Sequence, residues 1–192
     1  MTELRIYTDK PAPGSIAKPE AVVTDAAEIR KRLNEIDVLY ERWETDDHLD
    51  KEASQDEIIE AYRKPIDHLM QRYGFESLDV INMYPDHPKK DELRDKFLHE
   101  HIHNDFEVRF FVDGQALFYI RTNGKVYGVL CTRGDLISVP ANVTHWFDMG
   151  DEPHFKAIRL FLSNEGWTPT FTGDPIAERF PLLDNASVAQ GS

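Results

Sequence analysis

Four residues could do metal chemistry: His101, His103, Glu107 and His145, in the order His-x-His-x3-Glu with a third histidine 38 positions beyond the glutamate. Three imidazoles and a carboxylate suit a divalent transition metal such as iron, nickel, manganese or zinc. Side chains alternate faces along a β-strand, so one extended strand would put 101, 103 and 107 on a common face and let them converge on one ion. The chain has eight histidines in all. The glycines and proline around these three, at Gly114, Gly134 and Pro140, set them apart from the rest.

The elements that must position them change character near Phe97. Before it the chain reads as a helical front portion, about residues 1–96. Ile29, Leu33 and Ile36 recur at helical spacing after Thr24 or Asp25, either of which can cap. Ser54 with Glu57 has the form of a capping box, and Ile58, Ile59 and Tyr62 follow it. Pro65 interrupts or restarts that helix, and Ile66, Leu69, Met70 and Tyr73 lead to a stop at Gly74. A short helical turn is expected after Pro88, through Lys89 to Arg94.

After Phe97, β-branched and aromatic runs are punctuated by Asp113-Gly114 and Asn123-Gly124, two hairpin signals. Candidate strands are Glu107–Val112, Ala116–Arg121, Val126–Cys131, Leu136–Val139, His145–Phe147 and Phe155–Leu162. They predict a mainly β fold, a small barrel or sandwich over about residues 97–165 with the helices packed on it. No repeat or linker divides residues 1–183, and the small polar tail at 184–192 is expected to be flexible.

Taken with their punctuation, the motifs are His101-x-His103-x3-Glu107-x6-Gly114 and Gly134-x5-Pro140-x4-His145. Together they resemble the two motifs of the cupin superfamily, whose jelly-roll-like β-barrel holds one metal through three histidines and a glutamate. Asn142 stands where that pattern usually has glycine, and asparagine tolerates the left-handed conformation. Met149 stands where the pattern ends in asparagine. These departures point to one branch, and the chain resembles the acireductone dioxygenase family nearly throughout. The most specific stretches are PDHP (85–88), KFLHEHIH (96–103), EVRFFVDG (107–114), DLISVPA (135–141), HWFDMG (145–150), AIRLF (157–161) and EGWTPTFTGD (165–174). Phe106 departs from bacterial members that carry an acidic residue there, and its parity opposite to the ligands turns it away from the metal.

The resemblance implies one Fe(II) or Ni(II) ion per chain, held by His101, His103, Glu107 and His145. The implied substrates are dioxygen and an acireductone of methionine salvage, 1,2-dihydroxy-3-keto-5-methylthiopentene. With Fe(II) the implied products are 4-methylthio-2-oxobutanoate and formate; with Ni(II) they are 3-methylthiopropanoate, formate and carbon monoxide. Another metal-dependent cupin enzyme, or a non-catalytic metal-binding cupin, is the alternative, since fold alone does not fix function.

Arg109 shares parity with Glu107, which points a guanidinium into the barrel. A buried arginine needs an anion, either the substrate enediolate or a structural carboxylate. Arg159, inside the apolar run AIRLF, poses the same question; both are candidate catalytic residues. Phe97, Phe147 and Trp167 match the family's pocket aromatics and would suit a thioether tail, although any one of them could be ordinary core. His99 shares parity with the ligands, but the spacing to Glu107 and Gly114 favours 101 and 103. His87 and His154 are assigned to loops, and His48 and His68 to the surface.

Composition sets the outer limits. Hydrophobic content of 41% with 30% charged residues fits one soluble globular unit. A net charge of −13 argues against nucleic acid or anionic membrane as a partner. Eight acidic residues between Glu41 and Glu57 face only Arg42 and Lys51. Cys131 is the one cysteine, so no disulfide forms within the chain, which suits a reducing compartment. No apolar stretch approaches the ~20 residues of a membrane span. A cytoplasmic monomer is the expectation.

Overall fold

The computed structural model describes residues 1–45, 49, 52–163 and 167–186, so His48 and the tail beyond 186 lie outside the described residues. In chain order the elements are β1 (Glu3–Thr8), β2 (Ala21–Val23), α1 (Ala26–Asn34), β3 (Leu39–Arg42), α2 (Gln55–Ala61), α3 (Arg63–Tyr73), β4 (Ser77–Met83), α4 (Lys90–Leu98) and β5 (His101–Ile102). Then follow β6 (Glu107–Thr122), β7 (Lys125–Thr132), β8 (Asp135–Val139), β9 (Thr144–Asp148), β10 (Phe155–Phe161), β11 (Thr170–Phe171), a 3-10 turn (Pro175–Arg179) and α5 (Leu183–Ala186).

Two antiparallel layers share β6. One runs β11-β5-β9-β6-β7-β1-β2; in the other, β6 pairs β8 and β10, which in turn pair β3 and β4. The N-terminal half of β6 pairs with β8 and β10, and its C-terminal half with β7 and β9. Asp113-Gly114 is therefore not a hairpin turn. Ala157 faces Phe111 and Lys156 faces Asp113, so Val112 is an extra residue in a bulge. Gly114 has φ +73°, and a Cβ there would lie 1.9 Å from the His154 carbonyl oxygen, so the close crossing of the two chains demands glycine. Asn123-Gly124 does form the β6–β7 hairpin, both residues having positive φ.

The bulge reverses parity. Before it Glu107, Arg109 and Phe111 point inward; after it Ala116, Phe118 and Ile120 share the inner core with Phe111, Val129, Ile137, Phe147 and Phe155. On the outer face of one layer, Val108, Phe110, Leu136, Ile158 and Leu160 pack against Ile58 of α2, Ile66 and Leu69 of α3, and Tyr62 between the two helices. On the other layer, Tyr7, Leu117, Tyr119 and Trp146 pack beneath Ile176, Phe180 and Leu183.

The helical front is a correction. The predicted helices are present: Asp25 caps α1 by accepting from Glu28 N (2.9 Å), Ser54 and Glu57 form the capping box of α2, and Gly74 ends α3 at φ 77°. Pro65 lies in the first turn of α3, so it restarts a helix. But β1, β2, β3 and β4 also come from the first 96 residues, and each joins a layer of the barrel. Such short strands lack clean alternation; their partners in the sheet, which lie far away in sequence for β1, β3 and β4, make them strands. At the start of the expected tail, Asp184 accepts a hydrogen bond from Arg94 at 2.9 Å.

Candidate metal centre

The four predicted ligands arrive from both layers. His101 on β5 stands directly opposite His145 on β9, and His145 opposite Ile120 on β6. Glu107 opens the half of β6 that belongs to the other layer. His103 follows β5 in the connecting loop, where its carbonyl accepts from Asn142 N at 2.8 Å. Asn142 has φ 63°, the left-handed conformation its residue type allows, so the second motif's turn fixes the loop that carries a ligand of the first. A single strand through 101, 103 and 107 is thus corrected: two strands and a loop bring these residues together.

Convergence is tight. One ligand atom from each of the four lies within 4.8 Å of the others, and all four residues are buried. Nδ1 of His101 lies 2.7 Å from the His99 carbonyl, and Nδ1 of His145 lies 2.8 Å from that of Val143. These contacts orient both rings and leave Nε2 as the nitrogen that can meet an ion. Glu107 Oε2 stands 3.0 Å from His103 Nε2 and 3.1 Å from His145 Nε2. Nδ1 of His103 is buried with no hydrogen-bond partner.

Electrostatics prepare the groups as ligands. Burial, then the neighbouring His145, push the His101 imidazole down to about 4, which keeps it neutral near pH 7. Burial alone would raise the Glu107 carboxyl; Arg109 and the hydrogen bonds from His103 and His145 outweigh it and hold the group well below the usual carboxylate range. Three imidazoles and a carboxylate in a buried cluster are the donor set a divalent transition metal takes, so the residues fit such an ion. The chain has a four-residue metal-binding site.

Arg109 is buried beside it. Its Nε donates to Glu107 Oε1 at 2.9 Å, and its guanidinium carbon sits 4.3 Å from the Phe147 ring centroid. The anion that balances Arg109 is thus the ligand carboxylate itself. Arg159 stands apart: Asp79 holds it through two contacts, Nε to Oδ1 at 2.8 Å and Nη2 to Oδ2 at 2.6 Å. Asp79 is its carboxylate partner, and among the described residues no hydrogen bond or ion pair joins Arg159 to the ligands.

Of the aromatics, Phe97 on α4 is half-buried with its ring 6.3 Å from that of His101. Phe147 packs against Phe118 and Phe155. Trp167 lies 6.1 Å from the His103 ring and donates its indole N–H to the Phe106 carbonyl at 2.9 Å. Sequence reasoning missed Asp79, Phe161 and Phe171. Phe171 faces His101 across β11 and β5, with rings 6.0 Å apart. Phe161 shares parity with Arg159, a signal that could have found it. His99 is exposed, with Nδ1 on the Asp95 carbonyl. His68, His87 and His154 lie outside the cluster, and Phe106 is 41% exposed on the outer surface.

A family model described as the ARD/ARD' family matches residues 3–169. The chain belongs to this family. Among its relatives, acireductone dioxygenase of Aquifex aeolicus is 55% identical over 96% of this chain and 97% of its own length. The Methylococcus capsulatus protein of the same name is 50% identical over 95% and 97%. A solved structure, acireductone dioxygenase from Bacillus anthracis with a cadmium ion in its active centre, superposes with a TM-score of 0.77 at 33% identity, covering 89% of this chain and 98% of that one. The double-layered barrel is thus the cupin fold of acireductone dioxygenases, and the chain is a metal-dependent dioxygenase of that family.

Proposed function

We propose that this protein cleaves an acireductone with dioxygen in methionine salvage, using one ion held by His101, His103, Glu107 and His145. The observation that carries this reading is the burial of three imidazoles, one carboxylate and Arg109 in a single cluster. Bound to these four, Fe(II) or Ni(II) would supply Lewis-acid stabilisation of the substrate's enediolate charge. Glu107 is held ionised and engaged on both oxygens, so it serves as a ligand and not as a proton donor. It engages only Nε of Arg109, which leaves the two amino groups of that guanidinium as donors for an anionic oxygen. Phe97, Phe147 and Trp167 form an apolar wall for the methylthioethyl tail, since thioether sulfur and aromatic rings attract. The same wall keeps water from the reacting carbons.

Product analysis on metal-quantified protein given an acireductone and oxygen is the test. The expected result is 4-methylthio-2-oxobutanoate with formate from iron-loaded protein, and 3-methylthiopropanoate, formate and carbon monoxide from nickel-loaded protein. No oxygen uptake after reloading with each metal would remove the acireductone reading.

A further inference from the structure

The layer that carries Glu107 also carries a row of charges. Across β6, β10 and β4, Arg109 stands directly opposite Arg159, and Arg159 directly opposite Asp79. Like charges in facing positions repel, so this pair of arginines needs a counter-charge in the same row. Asp79 supplies it, engaging Arg159 through both carboxylate oxygens. That fork removes most of the rotational freedom of a side chain that is 23% exposed and would otherwise drift to solvent.

The orientation of Arg159 matters because of what it touches. Its guanidinium carbon lies 5.5 Å from the Trp167 ring and 5.3 Å from that of Phe161. The guanidinium carbon of Arg109 also lies 5.5 Å from Trp167. Phe161 packs on Trp167 with centroids 4.6 Å apart, and the indole N–H is tied to the Phe106 carbonyl, one residue before Glu107. Trp167 is thus flanked by two cations and by the rings of Phe161 and His103, and tied by one hydrogen bond.

We propose that Asp79 is a positioning residue: by clamping Arg159 it holds Trp167 in place as a wall beside Arg109 and the ring of His103. Neither Asp79 nor Arg159 contacts a metal ligand in this arrangement. The effect on turnover rests on the acireductone reading; the effect on Trp167 does not.

The test uses the full chain with its metal content measured. Asp79→Asn keeps the shape and removes the charge, and Asp79→Glu keeps the charge. In Asp79→Asn, acrylamide quenching of tryptophan fluorescence should rise, and the rise should vanish when Trp167→Phe is added. That second variant separates Trp167 from Trp43 and Trp146. Metal content should stay at the parent level, kcat/KM should fall about tenfold through displacement of the pocket wall, and Asp79→Glu should restore both readouts. Quenching identical to the parent in Asp79→Asn would overturn the proposal, as would a rise that persists in the Trp167→Phe background. A rise confined to Trp167 in a protein that does not turn over acireductone would support the positioning role and reject only the substrate.

Discussion

Arg109 shows how a single buried contact changes an expectation. From the sequence it is a cation in search of an anion, separable from metal binding. The structure gives it Glu107, so its removal should act on the ion as well as on turnover. Arg109→Ala is expected to weaken metal affinity by about 10–100-fold, the usual cost of losing a ligand's hydrogen-bond partner; equilibrium dialysis against iron or nickel measures it, and unchanged affinity would return Arg109 to a purely substrate-facing role. His101 gives a pH prediction for metal-stripped protein. Its folded value of about 4 lies below the ordinary 6.5, so the unfolded chain binds the extra proton between those limits. Stability is fully present above 6.5 and is lost as pH falls towards 4, by about 3 kcal/mol. Urea unfolding at several pH values should show that slope in the parent, and a reduced one in His101→Asn.

At the scale of elements, β6 does the decisive work. It carries Glu107 and Arg109 in one layer and Ile120, the neighbour of His145, in the other, and the bulge at Val112 lets inward-facing residues keep facing inward across the change. Gly114 and Gly124 share φ +73°, but a Cβ at Gly114 would strike the His154 carbonyl while one at Gly124 meets nothing within 4 Å. The two alanine variants therefore separate backbone strain from close approach. Gly124→Ala is expected to cost about 1–2 kcal/mol, and Gly114→Ala about 3 kcal/mol or more, both read by denaturant unfolding. Equal costs would mean that the β6–β10 crossing is not what the glycine serves. The dipeptides Asp113-Gly114 and Asn123-Gly124 look alike as local signals. What distinguishes them is the strand that crosses the first and not the second.

At the scale of the molecule, ligands from two layers and a loop make the ion a tie across the barrel. Stripping it should lower the melting temperature by about 5–10 °C at metal concentrations near a hundred times Kd. Calorimetry with and without a chelator checks this, and re-addition of the ion should restore the value. The ligand types, their order, the helix caps at Asp25 and Ser54, the stop at Gly74 and the β6–β7 hairpin were all legible in the chain, because each depends on residues within a few positions of one another. The family resemblance extended that legibility to the barrel. Strands β1 to β4 were not legible, since three to seven residues become a strand only when a distant partner supplies their hydrogen bonds. Nor was the clamp of Asp79 on Arg159, whose members lie 80 residues apart and meet only through the register of β4 on β10. Sequence by itself determined which side chains can hold the metal and how the chain turns locally. The tertiary structure alone decided that Glu107 balances Arg109, that Asp79 balances Arg159 and that Phe171 lies beside His101, because pairing register and parity are properties of strands already assembled.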